Sequence, residues 1–553
     1  VEFNLADLFE SVAARVRSHP AVVAGSRRLT YAELDERSDR LAAALDAAGV
    51  GHNDFVGLQL ANGTEYLEAM LACFKIRAVP VNINYRYVAE ELRHLYADAG
   101  LVALVHHHAF SGAVAEAIDA MVDQRLLLEV EDGSSGPRAP RSAGYEATLA
   151  RHQPNRAPTT RSGDDLYCVY TGGTTGMPKG VLWRHEDIFF AGMRGGDPSG
   201  FLPVAQRPEE VAERIAAPGM VAIAAPPLMH ASAHWLAFSI LLSGGTLVLI
   251  PGGHFDPEVV WDLVGDEGAN ILVVVGDAMA APLVEAATAR VAAGRPPDTS
   301  TLLAIGSGGA VLSPITKARL AELFPAVMVA DQFGSSETGQ LGGQPGAEAP
   351  HGPPRLQVDE VTCVLDEQLR PIEAGSAMVG RLARGGRVPL RYHGHPEASA
   401  ATFVEVGGQR WALPGDLATV DITGAIEILG RASLCINTGG EKVFPDEVEA
   451  AIKGCPGVRD VVVVGVPDPR WGQRVTAVLS ADRPTPPTVE ELRAALQGQL
   501  AGYKLPKAIV VVDDVHRSPT GKADYRWALA AATSTVADEP SEGRAAAAGG
   551  SVP

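Results

Sequence analysis

Cysteine is scarce, with five (Cys73, Cys168, Cys363, Cys435 and Cys455) scattered over 553 residues and neither a CxxC nor a metal-ligand spacing among them. That excludes a disulfide scaffold and a zinc-binding module, and it leads us to expect free, mostly buried thiols in a cytoplasmic protein. Positive charge is also short: 46 Lys and Arg against 66 Asp and Glu give a formal net charge of −20. A field of that sign disfavours nonspecific binding to nucleic acid or anionic membranes, so neither is expected as a partner. No hydrophobic run is long enough to cross a bilayer. The longest, Trp235 to Ile250, is broken by Ser243-Gly244-Gly245 and reads as helix, turn and strand. The opening residues Val1-Glu2-Phe3-Asn4 have no basic character, so no secretory signal is expected.

Apolar residues make up 46% of the chain, enough for a large core, and the length suggests about three or four domains' worth of structure. Short apolar runs at Val221–Ala225, Thr246–Ile250, Ile271–Val275, Leu302–Ile305 and Val327–Ala330 read as strands. Helical patterns at Pro257–Gly265, Met279–Ala293 and Ser313–Phe324 alternate with them. Such alternation predicts an α/β architecture with a largely parallel sheet. Thr30-Tyr31-Ala32-Glu33 is a capping box that opens a helix with Leu34, Leu41 and Leu45 on one face. A boundary is expected near Gly430-Arg431, giving domains over 1–430 and 431–531. In the second, helices are expected at Pro445–Lys453 and after the capping box Thr488–Glu491, with strands at Val458–Val464, Thr476–Leu479 and Ala508–Val512. The Ala/Gly/Ser/Glu/Pro-rich end, 532–553, reads as a disordered tail.

The most informative stretch is Tyr170-Thr171-Gly172-Gly173-Thr174-Thr175-Gly176-Met177-Pro178-Lys179-Gly180, which follows the strand-like Leu166–Tyr170. Glycines allow successive backbone N–H groups to turn inward as an anion-binding nest; the threonine hydroxyls and Lys179 add donors and charge. It lacks the Gly-Lys-Ser/Thr succession of a P-loop NTPase. Five further motifs follow in order: Pro226-Pro227-Leu228-Met229-His230, Ser307-Gly308-Gly309-Ala310, Asp331-Gln332-Phe333-Gly334-Ser335-Ser336-Glu337-Thr338-Gly339, Gly415-Asp416 with Gly430-Arg431, and Ser518-Pro519-Thr520-Gly521-Lys522.

Together these motifs resemble the core motifs of the acyl-adenylate-forming superfamily, and the resemblance runs from Leu29-Thr30-Tyr31 to Lys522. It implies a large N-terminal domain of two helix-flanked sheets plus a small barrel, followed by a small, mobile α+β domain. It also implies a two-step reaction in which a carboxylate attacks the α-phosphate of ATP and a thiol then displaces AMP. By that resemblance Thr171, Gly172, Gly173, Thr174, Thr175, Gly176 and Lys179 hold phosphates, and Glu337 binds Mg²⁺. Gly308, Gly309, Ala310, Asp331, Gln332, Phe333, Gly334 and Ser336 surround the nucleotide. Asp416 takes the ribose hydroxyls and Arg431 lies near ribose and phosphates. Lys522 offsets charge as the adenylate forms. Thr171, Lys179, Glu337 and Lys522 are the expected catalytic set. His230, Gly308, Gly334 and Ser335 are expected against the acyl group. Asp277 reads first as a helix N-cap and otherwise as an acyl-pocket residue. The triplet His106-His107-His108 reads as a solvated strand end.

Thr438-Gly439-Gly440-Glu441-Lys442 resembles the loop that forms the pantetheine tunnel in acyl-CoA synthetases, and Lys504 adds a basic residue for CoA phosphates. Trp183-Arg184-His185-Glu186-Asp187 and Lys522-Ala523-Asp524-Tyr525-Arg526-Trp527 look most like actinobacterial fatty-acid and steroid-side-chain CoA ligases. Ser433 stands at the hinge, where Asp or Lys is usual, and Gly172 replaces the usual serine of the loop. The expectation is therefore a cytoplasmic acid–thiol ligase that uses ATP, Mg²⁺ and CoA on a large hydrophobic carboxylic acid, with a homodimer as its assembly. The rivals are an acyl-AMP ligase that loads a carrier protein, and a nonenzymatic ligand-binding pseudoenzyme.

Overall fold

Period-two alternation explains the central sheet. In a strand, successive side chains point to opposite faces. Ala222, Ala224, Leu247 and Leu249 enter one buried cluster with Phe238 and Ile240, while Ile223, Val248, Leu272 and Val274 enter another with Trp261, Leu283 and Leu320. Helices therefore cover both faces, which is the environment that parallel strands require. The structure, a computed structural model, describes all residues except 1, 155–159, 172–176, 216–218, 251–254, 311, 346–354, 377, 439–440, 469–470, 498, 518–520 and 538–553. The chain divides into two units, with the break between Ile428 and Leu429.

In the first unit, strands Pro20–Ala24, Thr246–Leu249, Val221–Ala224, Ile271–Val274, Ala304–Gly308 and Met328–Ser335 lie side by side in that order and run parallel. Gly339–Pro345 returns antiparallel to the last of them. A second parallel sheet contains Phe55–Gln59, Val79–Asn82, Leu101–His107, Leu126–Val130 and Ala143–Gly144. A three-stranded sheet joins Leu166–Thr171, Lys179–Arg184 and Arg391–Tyr392, and short antiparallel strands between Thr362 and Ile428 form the remainder. The capping box of Thr30 and Glu33 is present at the start of helix Tyr31–Ala47.

Several boundaries differ from expectation for a common reason. The strand expected over Val327–Ala330 runs Met328–Ser335, because pairing with Gly339–Pro345 carries it onward. The strand expected at Leu302–Ile305 is Ala304–Gly308, paired as far as Gly308 opposite Gln332. The histidine triplet is not solvated: His106 and His107 are buried on strand Leu101–His107, and His108 lies 3.0 Å from Glu129. That strand is paired on both edges, which takes its end out of water.

In the second unit, Val458–Asp468 and Gly472–Ala481 form a long antiparallel pair, and Ala508–Val511 adds parallel to the latter. Val461 and Val463 face Val448, Ile452, Leu492 and Leu496; Val462 and Val464 face Ala528 and Ala532. The continuous valine run thus reflects burial on both faces. Helix Tyr525–Ala537 supplies the second cover, so the tail expected from residue 532 is helical as far as Ala537, and 538–553 lie outside the described residues. All five cysteines are free, and among the described residues no helix is long and apolar enough to cross a membrane.

Two buried histidines make the first unit acid-sensitive. Burial lowers His185 to about 4 and His234 to about 3. The backbone N–H of Leu5 donates to Nδ1 of His185 at 3.3 Å, which requires the neutral ring. Since the unfolded ring titrates near 6.5, this stability is complete above that pH and is lost as pH falls toward the folded values. The urea midpoint of the first unit should fall from pH 6.5 to 4, and fall less steeply in His185→Gln.

Candidate active site

Within the first unit, the glycine-loop hairpin and the Glu337 motif meet. Thr171 pairs with Lys179 across the hairpin of Leu166–Thr171 and Lys179–Arg184. Gly172, Gly173, Thr174, Thr175 and Gly176 lie outside the described residues. On the hairpin's other edge, Tyr392 pairs with Val181. Its hydroxyl donates to Oε1 of Glu337 at 2.9 Å, while the Lys179 ammonium lies 5.7 Å from its ring centroid. One tyrosine therefore touches both the carboxylate and the cation that the sequence singles out.

Glu337 is held by a locked turn. The Ser335 hydroxyl accepts from the Glu337 N–H at 3.3 Å, the buried Thr338 hydroxyl accepts from the Ser335 N–H at 3.0 Å, and Trp183 Nε1 donates to the Ser336 carbonyl at 2.9 Å. Ser335 thus shapes the turn with its hydroxyl. Gly334 is required by the same hairpin: a Cβ there would sit 2.3 Å from the Gly339 carbonyl oxygen. Close backbone approach is by itself reason for glycine at this position. Among the described residues the second oxygen of Glu337 has no protein partner, so it offers a hard ligand atom of the kind Mg²⁺ takes. Tyr392→Phe keeps the ring beside Lys179 and removes the donor to Glu337. Loss of one such bond should slow acid-dependent pyrophosphate release roughly 2- to 10-fold, measured against a Mg²⁺ titration.

The parallel strands carry further candidates. Open α/β sheets bind ligands beyond the carboxyl ends of their strands, and Gly308, Gly309, Ala310 and Asp331–Gly334 lie there. Gly309 has φ +87°, a conformation that favours glycine. The Asp331 carboxylate lies 3.1 Å from Lys317 Nζ; burial raises its pKa, opposed by Lys317 and assisted by Asp277. Phe333 packs beside Leu341 and Val364. Asp277 is not an N-cap: helix Gly276–Ala292 is capped by Val275, and the Asp277 carboxylate accepts from the Ser313 N–H at 2.9 Å. It ties two helix starts together, a pairing between chain positions too distant for a capping pattern to reveal. His230 sits half-buried at the start of helix Ala231–Leu242. Asp416 is buried at the head of strand Asp416–Val420, directly after Gly415 at φ +94°.

The second unit carries the remaining candidates. Lys522 is exposed. The preceding residue is pinned: Arg517 Nη1 donates to the Gly521 carbonyl at 3.0 Å, while Arg517 Nη2 donates to the Asp460 carboxylate at 2.8 Å. After it, Asp524 N–H donates to the His516 carbonyl at 3.1 Å, and His516 stacks on Trp527 at 4.1 Å. The Tyr525 hydroxyl reaches Asp446 at 3.1 Å and half-buried Glu449 at 3.4 Å. Burial first, and the Asp446 charge second, raise the pKa of Glu449. Arg431 ends strand Ile426–Arg431, and Ser433 is exposed in the turn Ala432–Leu434. Glu441 and Lys442 are exposed on strand Glu441–Val443. Lys504 is engaged by Glu447 at 2.6 and 2.7 Å, so it is not a free cation awaiting phosphate. Gly439 and Gly440 lie outside the described residues.

Sequence reasoning passed over Tyr392 and Arg517. Tyr392 lies 55 residues from Glu337, with no motif joining them. Arg517 stands immediately before Ser518-Pro519-Thr520-Gly521-Lys522, and its adjacency was the available signal.

Residues 9–387 match the model of the AMP-binding enzyme family, and 447–522 match that of the AMP-binding enzyme C-terminal domain. The chain is 42% identical over 533 residues to a 3-oxocholest-4-en-26-oate–CoA ligase of Rhodococcus rhodochrous, covering 95% of each chain. It is 41% identical over 540 residues to a medium/long-chain-fatty-acid–CoA/3-oxocholest-4-en-26-oate–CoA ligase of Mycolicibacterium smegmatis, covering 97% of this chain and 98% of the relative. Among solved structures, ATP-bound MatB from Rhodopseudomonas palustris superposes with a TM-score of 0.80 at 25% identity, covering 96% of this chain and 99% of that one.

Proposed function

The chain belongs to the AMP-binding enzyme family, and from that premise we propose that it is an ATP-dependent acid–CoA ligase acting on large hydrophobic carboxylic acids. The observation that carries this reading is the meeting of Glu337, Tyr392 and Lys179 at the Thr171–Lys179 hairpin. The names of the full-length relatives support CoA as acceptor and a steroid-side-chain or fatty acid as substrate.

In the first step a substrate carboxylate oxygen attacks the α-phosphorus, the α–β phosphoanhydride bond breaks, and pyrophosphate leaves. Lys179, on the hairpin, would meet the departing phosphates. Lys522 offsets charge on the α-phosphate and carboxylate oxygens. Such fixed cations act mainly by electrostatic stabilisation. Glu337 fits a divalent ion, which when bound would supply positive charge against the phosphates. Tyr392 orients Glu337 for that task, and Asp416 has two acceptor oxygens for the ribose hydroxyls. In the second step the CoA thiol gives its proton to solvent, its sulfur attacks the acyl carbon, and AMP leaves. No enzyme thiol takes part. The free thiols support a reducing, cytoplasmic location.

The test is a panel of acetate, long-chain, aromatic, steroid and diterpenoid acids with ATP, Mg²⁺ and CoA, scoring pyrophosphate and acyl-CoA separately. Acid-dependent pyrophosphate release and acyl-CoA from large acids are expected. Efficient use of acetate alone would overturn the substrate class. Absence of any acid-dependent pyrophosphate would point to a binding protein, and pyrophosphate without acyl-CoA to a carrier-protein acceptor.

A further inference from the structure

Arg194 is a half-buried guanidinium that meets no carboxylate among the described residues. It follows helix His185–Ala191 at φ +54°, a conformation uncommon for a residue with a side chain. Nε donates to Gln340 Oε1 at 2.6 Å, Nη2 to Gln332 Oε1 at 2.6 Å, and Nη1 to the Pro198 carbonyl at 3.4 Å. All three acceptors are neutral. The nearest acidic neighbour in sequence, Asp197, directs its oxygens into its own turn, where they accept from the N–H groups of Ser199 at 3.0 Å and Leu202 at 2.7 Å. Burial lowers the pKa of Arg194, opposed by the charge of Asp197, which makes no direct bond to it.

Arg410, in the same unit, is likewise held by neutral carbonyls, those of Pro389 and Leu390, but lies away from the Glu337 hairpin in sequence. Arg37 and Arg161 are each paired with carboxylates. Partly withdrawing a cation from water without a directly bonded anion is unfavourable, and a further oxygen acceptor would offset that cost. A guanidinium has five N–H groups, and the three bonds above leave two. Its acceptors are also pre-set: Gln340 Nε2 donates to the Gly192 carbonyl at 2.9 Å, which turns the amide oxygen toward Arg194.

The position is as informative as the missing partner. Gln332 lies between Asp331 and Phe333, and Gln340 pairs opposite Gly334 on the returning strand. Arg194 is therefore bonded to both strands of the hairpin whose turn carries Glu337. We propose that Arg194, held by Gln332 and Gln340, is a specificity-determining residue that receives a second oxygen acceptor on the acyl substrate: a keto, hydroxyl or further carboxylate group remote from the reacting one. This inference rests on the acid-activating role proposed above. It adds that the preferred acids are oxygenated rather than plain hydrocarbon chains.

The test compares acids of one chain length that are unsubstituted, oxo-substituted, hydroxylated or dicarboxylic, using the full-length protein. Wild type should favour at least one oxygenated acid over the unsubstituted one by about tenfold in kcat/KM. Arg194→Met should reduce that ratio by about tenfold or more, in keeping with a hydrogen bond to a charged donor. Gln340→Met, which removes the orienting amide and keeps the guanidinium, should reduce it in the same direction. The member of the panel most affected identifies the oxygen group. Thermal protection of wild type and Arg194→Met by the same acids, without ATP or CoA, reads binding apart from turnover. Protection by oxygenated acids that Arg194→Met loses supports the site even if no acid is turned over, in which case the ligase reading alone fails. An unchanged ratio in both variants, or no oxygenated acid preferred by wild type in either assay, overturns the inference.

Discussion

Lys522→Ala is expected to lower acyl-adenylate formation by at least about 10²-fold while sparing thioester formation from supplied acyl-adenylate and CoA. Lys522 is exposed, and the backbone on either side is anchored without its side chain. Arg517 grips the Gly521 carbonyl at 3.0 Å, and Asp524 N–H donates to the His516 carbonyl at 3.1 Å. The substitution should therefore remove a charge without moving the loop. Pyrophosphate release and acyl-CoA formation, measured separately, distinguish the outcomes. Equal loss in both half-reactions, with the fold intact, would assign Lys522 no step-specific role. Arg517→Met should slow the first half-reaction as well, by releasing Gly521, and here added salt or a longer assay would not restore the rate.

The largest stability effect is expected at Lys75. Its ammonium lies 2.7 Å from Asp35 and 2.5 Å from Asp39, and the three side chains are 3%, 7% and 6% exposed. Asp35 and Asp39 share one face of helix Tyr31–Ala47, and Lys75 closes helix Thr64–Lys75 against it. Glu10 brings a third carboxylate to the group, but Arg161 pairs with it, so the acids here are answered by the protein's own cations. Lys75→Met would strip the cation shared by two buried carboxylates, an effect of about 3–5 kcal/mol. The urea midpoint of the first unit should fall accordingly. Adding Asp35→Asn and Asp39→Asn to that variant should restore much of the loss, since the buried charges would then be gone. A single variant as stable as wild type would show that water reaches the pair.

Local chemistry determined much of this protein. Thr30 and Thr488 open helices because their hydroxyls and the glutamates three residues on satisfy the first N–H groups, which nearby residues suffice to arrange. The valines from Val461 to Val464 form a strand because their branched side chains fit a pleated surface. The glycine loop, the Glu337 motif and Lys522, in that order, resemble the acyl-adenylate-forming superfamily, and that resemblance indicated adenylation chemistry. Tertiary structure alone decided what those residues touch. It placed Tyr392 on Glu337, gave Asp277 to Ser313 instead of its own helix end, occupied Lys504 with Glu447, and buried His106 and His107. It also set Arg194 between two glutamines. Spacing along the chain reports the partners available within a turn or two; contacts between distant strands depend on which sheet edges meet, and that is settled by burial of the whole core.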